Sequence, residues 1–173
     1  MGRIGEVLQT ARVAKGMTQA DLASAAGVAQ GALSRYEHDL RTPDESTVET
    51  LAAALGIHPS LLERAERISG GIAVGAHMRR KATAPATQWR RLEAELNVAR
   101  WHAERLRDDV LIRADLSLPA FDPFDDEPAD AARMLRAQWR IPLGPIASVV
   151  EWLEAAGVLV IGKDLGRTSR VDG

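Results

Sequence analysis

Helix stops fall so close together in the first third of this chain that only short helices can form there. Ile4, Val7, Leu8 and Ala11 recur at helical spacing, and Gly16 ends that run. Thr18 stands where it can N-cap the next helix, which runs to Ala26 and closes at Gly27. A third helix begins near Ala29. A fourth, from about Asp44 to Leu55, has Pro43 before it and Gly56 after it, and a short fifth starts at Ser60 with Leu61 and Leu62 facing inward.

The third of these helices has an unusual outer face. A helix face is stabilised by burial at roughly 25 cal/mol per Å² of apolar area, yet Gln30, Gly31, Ser34 and Arg35 come together with almost nothing large and apolar among them. Two short helices joined at Gly27, the second polar outside, form a helix-turn-helix, whose second helix enters the DNA major groove. Small residues such as Gly31 and Ala32 let the backbone approach the groove. Gln30 can pair bidentately with adenine and Arg35 with guanine, each contact giving about 1–3 kcal/mol of discrimination. Gln19 can hydrogen-bond a phosphate with help from the helix N-terminus. The expected partner is double-stranded DNA.

Composition bounds the alternatives. The 173 residues are 46% hydrophobic, enough for one medium domain or two small ones. The absence of cysteine removes disulfides and thiolate metal sites. No signal peptide or apolar run of membrane-spanning length is found, so a cytoplasmic protein acting at the bacterial nucleoid is expected. His38, His58, His77 and His102 lack mutual ligand spacing, and no metal, cofactor or enzymatic activity is expected. The net charge of -2 is unevenly spread: arginines and a lysine crowd residues 77–113, and Asp115 to Asp130 carries six acids and no base. Arg79, Arg80 and Lys81 open that basic stretch and join the expected DNA-binding residues.

Gly16, Thr18-Gln19, Leu22-Ala23, Gly27-Val28, Leu33-Ser34, Glu37, Arg41, Pro43, Leu51-Ala52 and Leu55-Gly56 together resemble the XRE, or Cro/CI-like, repressor family over residues 3 to about 65. The resemblance implies a five-helix, lambda-repressor-like DNA-binding domain. It places Gln19, Gln30, Gly31, Ser34 and Arg35 at DNA-facing positions, and Arg41 in a loop that grips the DNA backbone. Many relatives carry a base-reading side chain where this chain has Gly31. It also implies that Arg12 and Glu37 form an internal ion pair bracing the first helix against the third. Tyr36 is read as core.

Beyond "SGGIAVGAH", a glycine-rich linker from about Ser69 to His77, helical patterning returns. Trp89, Leu92, Leu96, Ala99, Ala103, Leu106 and Val110 mark one long amphipathic helix from Trp89 to about Arg113. Arg91 with Glu95, Arg100 with Glu104 and Arg105 with Asp109 are spaced to pair on a solvated face. After a proline-broken loop come a helix from about Pro128 to Trp139, the turn "RIPLG", a helix from Pro145 to Ala156 and an apolar strand "VLVIG". Leu135-Arg136, Trp139, Pro142, Gly144-Pro145-Ile146, Glu154 and Gly157-Val158 resemble the region preceding the catalytic motif of ImmA/IrrE-type metallopeptidases. The zinc motif H-E-x-x-H is absent, so only the non-catalytic lead-in is covered.

The expected fold is mostly α: a DNA-binding domain at 1–68, a linker at 69–88 and a helical domain with a short β element at 89–173. The expected function is sequence-specific repression of transcription, in a temperate-phage immunity setting, with a natural short form preferred over a fragment. Two other readings stay open: the DNA-binding part of a metallopeptidase-coupled regulator, and an antitoxin-like interaction protein using the 89–110 stripe. Arg136, Arg140, Lys163, Arg167 and Arg170 would allow the second domain to touch DNA, whereas Glu151 and Glu154 would oppose it. A monomer on an asymmetric site is preferred to a homodimer, with the stripe from Leu92 to Val110 packed on the C-terminal helices and Trp89 and Trp139 buried there.

Overall fold

The structure is a computed structural model, and it describes residues 4–65, 79–80, 85–110, 113–120, 127–162 and 171–172. Its fold is mostly helical: α1 (Ile4–Ala14), α2 (Gln19–Ala26), α3 (Gln30–Glu37), α4 (Glu45–Leu55) and α5 (Pro59–Glu63) come first. They are followed by β1 (Arg79–Arg80), α6 (Ala86–Asp109), α7 (Pro128–Gln138), α8 (Val149–Ala155) and β2 (Val171–Asp172).

Local chemistry sets the ends of the first five helices. Gly16, Gly27 and Gly56 carry φ near +68°, the left-handed conformation that stops a helix at little steric expense. Asp44 caps α4 by accepting from the Thr47 amide at 2.8 Å. His58 caps α5 through Nδ1, which accepts from the Ser60 amide at 3.3 Å. The inner faces then meet: Leu8, Leu22, Leu33, Leu51 and Leu62 are essentially sealed from solvent, with Tyr36 among them, as its core reading required.

Chain contacts divide the protein into two compact units, one of residues 1–106 with 164–173, the other of residues 107–163. The division differs from the expected domain limits because most of α6 clusters with the first five helices. Trp101, buried to 5% exposure, enters their core and Val98 packs against it. Arg105 donates to the hydroxyl of Ser60 on α5. These residues lie on a stripe through Ala94, Val98, Trp101 and Arg105, a different face from the expected one. Along the expected stripe Leu92 is buried, but Leu106 and Val110 are each 49% exposed. Trp89 belongs to the first unit and Trp139 to the second. The expected linker falls mostly outside the described residues, and its last three residues, Ala86 to Gln88, are already the first turn of α6.

Within the second unit, Trp139 is buried and donates from Nε1 to the Ser117 carbonyl at 2.9 Å. The Asp115 and Leu116 amides both donate to the Ala155 carbonyl, at 2.8 and 3.0 Å. Helix α8 begins later than Pro145 because Ser148 supplies the cap, accepting from the Glu151 amide at 3.3 Å. Gly157, with φ +79°, ends it. The expected strand "VLVIG" does not form over its described residues. A strand needs a hydrogen-bonding partner, and among the described residues the pairing is instead β1 with β2, antiparallel, Arg79 opposite Asp172 and Arg80 opposite Val171.

Candidate nucleic-acid interface

Helix α2 is fixed at both ends. Thr18 and Asp21 form a capping box, the Asp21 amide donating to Thr18 Oγ1 at 3.1 Å and the Thr18 amide to Asp21 Oδ2 at 2.9 Å. The Thr18 hydroxyl and amide hold the Asp21 carboxyl below its ordinary range. At the other end Gly27 turns the chain and Val28 donates back to the Ala23 carbonyl at 2.9 Å. Helix α3 then leaves with Leu33, Tyr36 and Glu37 inward.

Its opposite face is the polar one. Gln30, Gly31 and Arg35 are exposed and Ser34 is half-buried, so the structure brings these predicted residues together on one surface. A Cβ added at Gly31 would meet nothing within 4 Å. The fold therefore does not require glycine there. Ala29, at the N-cap of α3, offers no side-chain hydrogen bond to the first amides of the helix.

Glu37 holds the module in shape. Its side chain is fully buried and accepts from Arg12 Nε at 2.6 Å and Nη2 at 2.9 Å, the expected brace between α1 and α3. Arg12 Nη1 also donates to the Met17 carbonyl at 3.0 Å. A third donor on Glu37 is the Gln19 side chain, whose Nε2 reaches Oε2 at 2.9 Å. Gln19 thus ties the start of α2 to the end of α3, a role its sequence position did not announce.

The loop after α3 carries Arg41, which is exposed. Asp39 there has φ +53° and its carboxylate accepts from the Gly5 amide at 2.9 Å, joining the loop to the start of α1. Arg79 and Arg80 lie in β1, whereas Lys81 falls outside the described residues. In α6 the expected pairs Arg91–Glu95 and Arg100–Glu104 are present, at 3.0 and 2.7 Å. Glu151 and Glu154 are exposed on α8. Of the four histidines, His77 lies outside the described residues. Among the described residues no group of three or more acidic or imidazole side chains is placed to hold a metal, and no helix is long and apolar enough to cross a membrane.

Residues 8–62 match the helix-turn-helix family HTH_3. The matched segment spans α2, the Gly27 turn and α3, and continues into α5, so the N-terminal helices are an XRE-type helix-turn-helix module. Such a module supports a DNA-binding transcription regulator acting on double-stranded DNA. Comparison with curated proteins and with solved structures gave no match.

Proposed function

We propose that the protein is a sequence-specific repressor of transcription, reading its operator through α3. The observation that carries this reading is the sorting of α3: its apolar residues seal the core while Gln30, Gly31, Ser34 and Arg35 share the solvent face. Gln30 and Arg35 supply bidentate base contacts, Ser34 and Gly31 permit close approach, and Arg41 grips a neighbouring phosphate. Gln19 contributes by bracing α2 on Glu37, with the start of α2 directed at a phosphate. Arg79, Arg80 and Lys81 add backbone contacts. The setting we infer is a cytoplasmic, non-enzymatic immunity repressor of the temperate-phage type, binding as a monomer to an asymmetric site. Its second unit is an ImmA/IrrE-like lead-in without the zinc motif.

Selection of bound sequences from random duplex DNA tests the reading. One preferred site should emerge, and Arg35→Ala should weaken binding to it by about 1–3 kcal/mol while relaxing preference at one base pair. Failure to enrich any sequence, or an unchanged preference in Arg35→Ala, refutes it.

A second role as an interaction module is favoured by the second unit's surface. Leu143 is fully exposed, and Met134, Val149 and Ile161 are each more than half exposed. A partner chain that co-purifies with the protein and is lost on Leu143→Asp would establish that role.

A further inference from the structure

The first turns of α6 stand beside the α1–α2 turn, although some 70 residues of sequence separate them. Gly16 and Arg91 show the juxtaposition: a Cβ built on Gly16 would lie 3.1 Å from Arg91 Nη1 and 3.3 Å from its Cζ. The guanidinium lies over a residue that has no side chain. Around it runs an open cleft of about 550 Å³, lined by Val13, Gly16, Met17, Pro85, Arg90 and Arg91 among others.

Two anchors keep this arrangement in one body with the helix-turn-helix. Trp101 buries α6 in the core formed by α1 to α5, and Arg105 bonds Ser60 further along the same helix. The facing turn is also fixed, because Arg12 holds the Met17 carbonyl and Thr18 caps α2 one residue later. Glu95 accepts from Arg91 Nε at 3.0 Å, which orients the guanidinium and directs its Nη1 end toward Gly16. The Arg91 side chain remains 57% exposed and Arg90 is exposed beside it.

In a helix-turn-helix the first helix of the motif crosses the phosphate backbone while the second enters the groove. Here the first helix is α2, so the α1–α2 turn lies at the backbone. We propose that Arg90 and Arg91 extend the DNA-binding surface there, contacting phosphates beside those reached from α2. Guanidinium groups suit this task because their planar fork matches phosphate oxygens. The inference rests on the reading of α3 as the DNA-reading helix and adds a sequence-independent edge to it. The opposing reading is that both arginines only solvate the helix face, with Arg91 kept there by Glu95.

Salt dependence separates these readings. In the full chain, the double variant Arg90→Ala/Arg91→Ala is compared with wild type on the site selected by wild type. The slope of log affinity against log salt should become shallower by about 0.9 for each lost phosphate contact, with equal loss of affinity on specific and unrelated duplexes. Arg90→Lys/Arg91→Lys should keep the steeper slope, and thermal melting should show that both variants fold. An unchanged slope in the alanine variant overturns the proposal, whatever its stability. Arg35→Ala, measured alongside, distinguishes the two levels. Lost base preference there with an unchanged slope in the double variant defeats only this inference. A wild-type chain that binds no duplex at any salt defeats both.

Discussion

Gly5 lies directly against the end of α3, where a methyl group built on it would stand 2.4 Å from the Glu37 carbonyl oxygen and 2.7 Å from that of Tyr36. The same residue donates its amide to Asp39. One glycine therefore lets α1 touch both the end of α3 and the loop that carries Arg41.

Backbone cannot yield to that methyl group as a flexible side chain would. Gly5→Ala should destabilise the protein by about 1–3 kcal/mol, the usual consequence of overpacking. Chemical denaturation measures it, and an equal or raised midpoint would show that α1 can shift without penalty.

Gly31 should respond in the opposite sense. With open space around its missing Cβ, Gly31→Ala should raise stability by up to about 1 kcal/mol through helix propensity. Gly31→Leu should fold equally well yet lose about tenfold in affinity for the selected site, equivalent to 1.4 kcal/mol. Melting curves together with a binding titration check both halves.

Breaking the brace is expected to be severe. Arg12→Met leaves the buried Glu37 carboxylate with Gln19 as its remaining side-chain donor, at a loss of about 3–5 kcal/mol. Replacing both partners, Arg12→Met with Glu37→Leu, removes the stranded charge and should recover much of the stability. A double variant no more stable than Arg12→Met would contradict this account.

Acid should loosen two helix starts. Asp21 and Asp44 both titrate below their ordinary 3.8, Asp21 through Thr18 and Asp44 through Thr47 and Ser46. A depressed carboxyl contributes stability that is fully present above the unfolded value and lost as pH falls through the folded one. Melting temperature should therefore drop on acidification below about pH 4. Asp44→Asn keeps a capping oxygen but cannot titrate, so its acid decline should be shallower than that of wild type.

Trp101 ties α6 to the first unit, and Trp101→Ala should cost about 3–5 kcal/mol. A chain ending after residue 68 should likewise melt below the full protein. Equal melting temperatures would mean that α6 adds nothing to the first core.

The helix-turn-helix was legible in the sequence because its signals are local. Thr18 and Asp44 start helices and Gly27 and Gly56 stop them, each acting within a few residues of itself. The Arg12–Glu37 brace spans α1 to α3 and was reached through family resemblance, then found in the geometry. What stayed hidden depends on tertiary choice. Helix α6 offers two apolar stripes, and periodicity cannot say which meets the core; Trp101, the larger anchor, sits on the stripe passed over. "VLVIG" has strand composition but no strand beside it. Gln19 has the right position for a phosphate, and only coordinates show its side-chain amide reaching Glu37.

In the antiparallel pairing of β1 with β2, Arg80 stands opposite Val171, so the chain between those two residues leaves and returns at a single ladder. Closing a flexible loop grows harder only slowly with length, by about 0.6 kcal/mol for each doubling, so added length in that stretch should burden the ladder little.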